Sequence, residues 1–187
     1  MTTDRHGSSV TEFPSELEIV TTRKFDAPIE LVFDVLTEPE HVRSWFAPFE
    51  DRVTTCEIDL RVGGDYHIVF VTPDGKECSF RGTYLEIERP TRTVETWWFE
   101  GWGPDTDAVE TVELHEDDGV TTLTMKLAFR NEAGRSRMTS GDGQEDSFDK
   151  LEDYLRSLAE LGATPTRSSP AASTSRRARR GSRPGSR

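Results

Sequence analysis

Polar and apolar side chains alternate along the ten residues Val120-Thr-Thr-Leu-Thr-Met-Lys-Leu-Ala-Phe129. Leu123, Met125 and Leu127 fall with Phe129 on one face of an extended chain, and the other face carries Thr, Lys and Ala. This period of two is typical of a strand that has one face on a core and the other in solvent. The segment therefore predicts one strand of an antiparallel sheet.

A helical pattern follows this strand, over about residues 142–161. Its apolar side chains recur three or four positions apart, which places them on one side of a helix. They are Phe148, Leu151, Leu155 and Leu158. We expect Leu151 and Leu155 to face the sheet. Glu152 and Arg156 lie on other faces of the helix and are expected to tolerate substitution.

The beginning of the domain predicts one strand and two short helices. Residues 17–25 alternate and are rich in β-branched side chains, as strands are. Asp26 is expected to cap the first helix with its carboxylate, because Pro28 then falls in the first turn, where a missing N–H costs nothing. Pro39 ends that helix and precedes a second one over residues 40–46.

Six strands follow the two helices, at residues 53–60, 65–72, 76–88, 93–100, 108–115 and 120–129. The predicted fold class is therefore α+β. A curved antiparallel sheet of about six or seven strands wraps around the long C-terminal helix, and the two short helices follow the first strand. A strongly curved sheet does not touch the helix along its whole length, so a cavity between them is the expected ligand site.

Aromatic side chains come from every part of this domain and predict the walls of that cavity. Trp98 is assigned to the inner face of its strand, whereas Trp97 and Phe99 are assigned to the outer face. Trp102 lies in a glycine-rich loop and is expected to be exposed. The predicted ligand-binding residues are Trp45, Tyr66, Phe80, Tyr84, Trp98, Met125 and Phe148. A plainly packed core is the alternative explanation for these aromatic residues.

No arrangement of residues predicts catalysis or a metal site, so neither a catalytic residue nor a cofactor is expected. The histidines, which are His6, His41, His67 and His115, have no metal-ligand spacing. Cys56 and Cys78 are expected to be buried apolar thiols. Glu86 and Glu110 fall on inward strand positions, but both are expected to be solvated, since a general acid or base requires burial and a raised pKa.

Composition divides the 187 residues into three parts. Residues 163–187 hold seven Arg and no acidic residue among Ser, Pro, Ala and Gly, so they are predicted to form a disordered tail. Residues 1–14 are also predicted to be disordered, which leaves one domain at residues 15–162. All 35 acidic residues precede the tail, and their charge disfavours binding of nucleic acid to the domain. Only the basic tail is expected to bind nucleic acid, and weakly.

Neither a membrane span nor a signal peptide is predicted. No apolar run reaches the ~18 residues that a transmembrane helix needs. Residues 1–10 are polar and lack the apolar core of a signal peptide. We therefore expect a cytoplasmic protein with no membrane partner.

Several sequence segments, taken in their order along the chain, resemble the helix-grip proteins of the START/SRPBCC superfamily. They are Phe25-Asp-Ala-Pro-Ile-Glu-Leu-Val-Phe33, Thr37-Glu-Pro-Glu-His-Val-Arg-Ser-Trp45-Phe46, Gly63-Gly64-Asp65-Tyr66, Phe80-Arg-Gly-Thr-Tyr-Leu-Glu-Ile87, Gly119-Val-Thr-Thr-Leu-Thr124 and Ser147-Phe-Asp-Lys-Leu-Glu-Asp-Tyr-Leu155. They cover about residues 17–160 and are most similar to the branch named after the activator of the 90-kDa heat-shock-protein ATPase. One departure is Gln144, because many relatives have an aromatic residue after the glycine at this point.

This resemblance implies three functions for a fold that carries many activities. The first is binding of a small hydrophobic or aromatic molecule in the cavity. The second is a role as an interaction protein, whose partner is a chaperone or another protein. The third is a polyketide-cyclase-type enzyme, which would require a buried acid or histidine in contact with the cavity.

Overall fold

The computed structural model describes residues 3–48, 50–138 and 142–162. These residues form eight strands and four helices. In chain order they are β1 (Val10–Ser15), β2 (Glu18–Phe25), α1 (Ile29–Thr37), α2 (Pro39–Trp45), β3 (Arg52–Ile58), β4 (Asp65–Val71), β5 (Glu77–Glu88), β6 (Arg92–Phe99), β7 (Ala108–Asp117), β8 (Val120–Phe129), α3 (Glu132–Arg135) and α4 (Asp142–Glu160). The predicted order of elements is confirmed, with β1 and the short α3 in addition. The predicted tail at residues 163–187 lies outside the described residues.

The eight strands form one antiparallel sheet in the order β1-β2-β8-β7-β6-β5-β4-β3. Strands β3 to β8 follow one another as a meander, and β2 closes it by pairing with β8 from Glu18 opposite Ala128 to Phe25 opposite Thr121. The α+β helix-grip fold is therefore confirmed, with one strand more than the upper end of the prediction. One face of the curved sheet turns toward α4, and α1 and α2 lie across one end of it.

The long helix α4 is docked through the predicted apolar stripe. Leu151 and Leu155 are fully or almost fully buried in the main core. Phe148 meets the ring of Phe25 edge-on, with 6.3 Å between the ring centroids. Because β2 and α4 contribute these side chains from opposite ends of the sequence, their contact joins the first and last parts of the domain.

The expectation that Glu152 is a tolerant surface position is wrong, because only 6% of it is exposed. Its carboxylate accepts hydrogen bonds from Arg23 at 2.9 Å and from Arg156 at 3.0 Å. Arg23 lies on β2 with a side chain that has no exposed surface, and it also donates to Asp149 at 2.7 Å and to Glu145. Glu152 is buried because it neutralises a cation that the sheet presents to the helix.

The prediction that residues 1–14 are disordered is wrong for residues 3–14. Strand β1 pairs with β2, with Val10 opposite Thr22. Before it, the N–H of Gly7 donates to Asp149 at 3.0 Å, so the chain lies along α4. Every side chain of β1 is exposed, because an edge strand is held by backbone hydrogen bonds rather than by burial. The domain boundary predicted at residue 15 is therefore too late.

Asp26 does not cap α1 as predicted. The N-cap residue is Pro28, with no side-chain cap, and the N–H of Ile29 donates to the carboxylate of Glu116 at 2.7 Å. Asp26 instead accepts hydrogen bonds from the Arg5 guanidinium, the shorter one at 2.7 Å. Its charge thus fixes the N-terminal segment to the beginning of α1.

Candidate functional site

A cavity of about 430 Å³ lies between the inner face of the sheet and the helices α1, α2 and α4. Strands β4 to β8 and the end of β3 form its wall, α1 and α2 close one side, and the first turns of α4 cover it. The lining is mainly aliphatic and aromatic. Its polar members come mostly from β6 and β7 on the sheet side and from the beginning of α4 on the helix side.

Six of the seven predicted ligand-binding residues lie on the wall of this cavity. They are Trp45, Tyr66, Phe80, Tyr84, Met125 and Phe148. Trp45 is fixed by a hydrogen bond from its indole N–H to the carbonyl of Val35 at 2.8 Å. The structure thus brings together side chains from α2, three strands and α4, although ligand binding by them is still a proposal.

Trp98, the seventh predicted residue, does not line the cavity. Its indole N–H donates to the carbonyl of Gly103 at 3.1 Å on the other side of β6. Trp97 lines the cavity in its place, together with Phe99. The assignment of β6 is therefore wrong by one residue, which exchanges its two faces. The inner face also carries Glu95, so its sequence lacks the apolar pattern that normally identifies a buried face.

One end of the cavity is a cluster of aromatic rings. Trp102 packs edge-on against Trp97 at 5.5 Å and against Phe99 at 5.4 Å between ring centroids, so the expectation that it is exposed is wrong. Phe80 lies 5.1 Å from Phe99 and stacks with Phe70 at 5.8 Å. These rings give this end a broad apolar surface with little rotamer freedom.

Two tyrosines lie along the wall toward the other end. The rings of Tyr66 and Tyr84 are 5.8 Å apart, and Tyr66 donates its hydroxyl to the carbonyl of Thr96 at 3.1 Å. Gly82 makes this possible, because a Cβ there would lie 2.4 Å from the Tyr66 ring and 1.8 Å from the Thr96 carbonyl oxygen. Burial raises the pKa of both tyrosines, so they are neutral hydroxyls at physiological pH.

Glu95 and Glu110 are the acidic residues in the described lining of the cavity. They stand directly opposite each other on β6 and β7 and both line the wall. The expectation that Glu110 is solvated is therefore wrong. Glu86, by contrast, is exposed and forms an ion pair with Arg92. A bulge between Tyr84 and Glu86 turns the strand, so that Glu86 leaves the inner face that its sequence position would give it.

The two cavity carboxyls are strongly perturbed by their surroundings. Burial raises the pKa of Glu95 to about 7, although a hydrogen bond with the Thr93 side chain lowers this pKa in part. Burial and the charge of Glu95 together raise the pKa of Glu110 to about 8. Glu95 Oε2 is buried and has no hydrogen-bond partner among the described residues. The pair therefore holds protons at neutral pH.

The histidines and cysteines do not take part in this site. His41 is hydrogen-bonded to the Tyr154 hydroxyl at 2.8 Å, and His67 is hydrogen-bonded to Ser79 at 3.1 Å. Burial raises the pKa of the Cys56 thiol to about 11, which leaves it protonated and unreactive. Within residues 3–48, 50–138 and 142–162, no group of three or more His, Cys, Asp or Glu side chains could hold a metal ion.

Gln144 lies where α4 covers the cavity. Its side-chain NH₂ is 2.9 Å from the sulfur of Met125, and its amide oxygen accepts a hydrogen bond from Thr21 at 3.3 Å. The residue that departs from the relatives' pattern thus binds α4 to β2 and β8. Its neighbour Gly143 also lines the cavity, and a Cβ there would make only an ordinary van der Waals contact with Pro48, at 3.6 Å.

Comparison with known proteins identifies the domain. The family model described as "Activator of Hsp90 ATPase homolog 1-like protein" matches residues 26–156. A comparison with curated proteins finds no match. Within the described part of the chain, no helix combines the length and apolar character that crossing a membrane requires.

Solved structures from three bacteria share the fold. A crystal structure from Rhodobacter sphaeroides has 21% identity and a TM-score of 0.72, over 80% of this chain and 99% of that one. A crystal structure from Nitrosomonas europaea has 25% identity and a TM-score of 0.68, over 79% of this chain and 99% of that one. A solution structure from Staphylococcus epidermidis has 24% identity and a TM-score of 0.68, over 79% of this chain and 94% of that one.

Proposed function

The chain belongs to the Activator of Hsp90 ATPase homolog 1-like family, and we propose that it binds one small hydrophobic or aromatic molecule in the cavity between the sheet and α4. The observation that carries this proposal is the cavity itself, about 430 Å³ in volume and lined mainly by apolar side chains. Its size lies within the range of small-molecule sites, about 300–1,000 Å³.

The volume argues against a plainly packed core. Protein interiors are packed as densely as organic crystals and leave few voids larger than one water molecule, which takes up about 30 Å³ of liquid. The space beneath α4 is larger by an order of magnitude. Most of its wall gives water no hydrogen-bond partner, so an apolar occupant gains free energy by displacing water from it.

The alternative function is that of an interaction protein for a chaperone ATPase. It rests on the description of the family. It differs from the ligand-binding proposal in one measurable respect, because a partner bound at the surface stays bound when the cavity is filled.

Binding of a neutral apolar fluorophore tests the proposal. N-phenyl-1-naphthylamine is expected to bind the wild type with a stoichiometry of one and to quench the emission of Trp97 and Trp45 on the cavity wall. Met125→Trp fills the cavity and should abolish this binding. Val109→Trp adds the same side chain at a half-exposed position of β7 outside the cavity wall, so it is the matched control and should bind like the wild type.

Native mass spectrometry of freshly purified protein gives an independent test through any co-purifying small molecule. The proposal is wrong if the wild type binds no fluorophore, or if Met125→Trp binds it as tightly as Val109→Trp does. A chaperone complex that persists in folded Met125→Trp protein would instead support the interaction function.

A further inference from the structure

Two carboxyl groups inside an apolar cavity cost free energy when they ionise, and no cation among the described residues is paired with them. Glu95 and Glu110 face each other across β6 and β7, where side chains directly opposite have Cβ atoms roughly 4.5–5.5 Å apart. Removal from water penalises each charge, and the closeness of the two charges adds to that penalty. A pair that served only the fold would be expected to have a cation of the protein beside it.

The charged and titratable groups around the pair do not supply such a cation. From β4 and β5 come the hydroxyls of Tyr66 and Tyr84, and from β6 comes Arg92. Arg92 forms ion pairs with Glu86 and Glu113, outside the cavity. The side chains that α1, α2, β8 and α4 contribute to the described wall are all uncharged.

One carboxylate oxygen also lacks a donor. Glu95 Oε2 is buried and has no hydrogen-bond partner among the described residues. A buried acceptor without a donor costs free energy unless a ligand or water provides the hydrogen bond. When Glu95 is ionised this oxygen requires a hydrogen-bond donor, and next to a second carboxylate a positively charged donor is favoured most.

We infer that Glu95 and Glu110 bind the protonated nitrogen of an amine ligand whose aromatic or aliphatic body fills the apolar part of the cavity. This inference rests on the proposed function, because it names the ligand class of the same cavity. An ammonium group offers up to three N–H donors, enough to bond Glu95 Oε2 and the facing carboxylate of Glu110 together. The ring cluster at Phe80, Trp97 and Phe99 supplies the surface for the ligand's body.

Binding of such a cation displaces the protons that the pair holds. Burial keeps the carboxyls partly protonated at neutral pH, and an ammonium ion beside them stabilises their ionised forms. Amine binding at pH 7 should therefore release protons to the buffer, in a number that falls as the pH is raised above 8. A neutral ligand of the same shape should release none.

A pair of matched probes tests this inference. 1-Naphthylmethylamine is a cation at pH 7, and 1-naphthylmethanol is its neutral analogue of nearly the same shape. The wild type is expected to bind the amine about tenfold to a hundredfold more tightly than the alcohol. Titration calorimetry in two buffers of different ionisation enthalpy should detect proton release with the amine only.

Isosteric variants show which carboxyl groups cause the preference for the amine over the alcohol. Glu95→Gln and Glu110→Gln remove the charge and keep the shape, and each should lose most of the amine preference while binding of the alcohol is retained. Glu86→Gln changes an exposed carboxylate on the neighbouring strand and should keep the preference. Circular dichroism and thermal melting establish that each variant is folded, and retained alcohol binding shows that its cavity is intact.

The outcomes separate this inference from the proposed function. If the wild type binds the alcohol but binds the amine no more tightly, the inference is wrong and the proposed function stands. If neither probe nor the apolar fluorophore binds, the proposed function itself is wrong. The inference would also be overturned if the Glu95→Gln, Glu110→Gln double variant kept the full preference for the amine over the alcohol. Tighter binding of a neutral ketone of the same shape would overturn it too, because the pair would then act as a hydrogen-bond donor.

Discussion

Arg23 on β2 donates from Nη2 to Oε2 of Glu152 on α4 at 2.9 Å, and neither side chain has more than 8% of its surface exposed. The N–H of Arg5 donates to the other oxygen of the same carboxylate at 2.9 Å. Glu152 thereby joins the sheet, the long helix and the N-terminal segment. Together with Glu145 and Asp149 it surrounds Arg23 with acidic groups, which makes burial of the guanidinium tolerable.

Glu152→Ala should destabilise the protein by roughly 1–3 kcal/mol. The substitution leaves Arg23 buried with one acceptor fewer, although Asp149 and Glu145 still face it, so the loss should be smaller than for a buried cation left without any partner. Denaturant unfolding measures the change in the free energy of unfolding. Glu160→Ala, at an exposed position of the same helix, is the control and should change it by about 0.5 kcal/mol or less. Equal effects of the two variants would contradict this role of Glu152.

Leu151→Ala should cost about 2–5 kcal/mol, because Leu151 has no exposed surface and its truncation leaves a cavity in the core. Leu161→Ala is the matched control, since Leu161 is 82% exposed just beyond the helix and its truncation should cost about 0.5 kcal/mol or less. Urea unfolding of both variants gives the comparison. A Leu151→Ala protein as stable as the wild type would mean that α4 is not docked through this stripe.

Deletion of residues 2–15 should lower the Tm by roughly 5 °C or more. The deletion removes the hydrogen bonds of β1 to β2 and the ion pair between Arg5 and Asp26, and it leaves β2 as an unprotected edge. Deletion of residues 163–187, which the sequence predicts to lie outside the domain, is expected to leave the Tm nearly unchanged. An unchanged Tm after the N-terminal deletion would restore the boundary at residue 15.

The elements whose side chains repeat with a regular apolar period were predictable from the sequence. Strand β8 and helix α4 are examples, because Leu123 and Leu127 alternate at period two, and Leu151 and Leu155 recur one helical turn apart. Burial of these apolar stripes is the main favourable contribution to folding, so it is directly visible as a periodic pattern in the sequence. The long-range pairing of β2 with β8 follows from the fold class rather than from either segment alone.

The errors occur where polar groups are satisfied by distant partners. Arg23 is buried through acids more than 120 positions away in the chain, which no local pattern reveals. Glu95 gives the inner face of β6 a polar residue, so the apolar pattern of this strand does not identify Trp97 as inward-facing. Strand β1 buries none of its side chains and is held by its backbone, which leaves no periodic signal.

The Glu95→Gln, Glu110→Gln double variant should be more stable than the wild type at pH 8, by several kcal/mol. The folded pKa values, raised by burial to about 7 and about 8, lie above the value of about 4.3 for an unfolded glutamate. Between the unfolded and the folded pKa values, the folded wild type holds more protons than its unfolded chain. The wild type therefore loses stability as the pH rises through the folded pKa values of the two glutamates. The difference between variant and wild type should therefore shrink toward zero at pH 4.5, as measured by denaturant unfolding at each pH. Glu86→Gln is the control, and a double variant whose advantage is the same at both pH values would show that the two carboxyls are not buried in the folded protein.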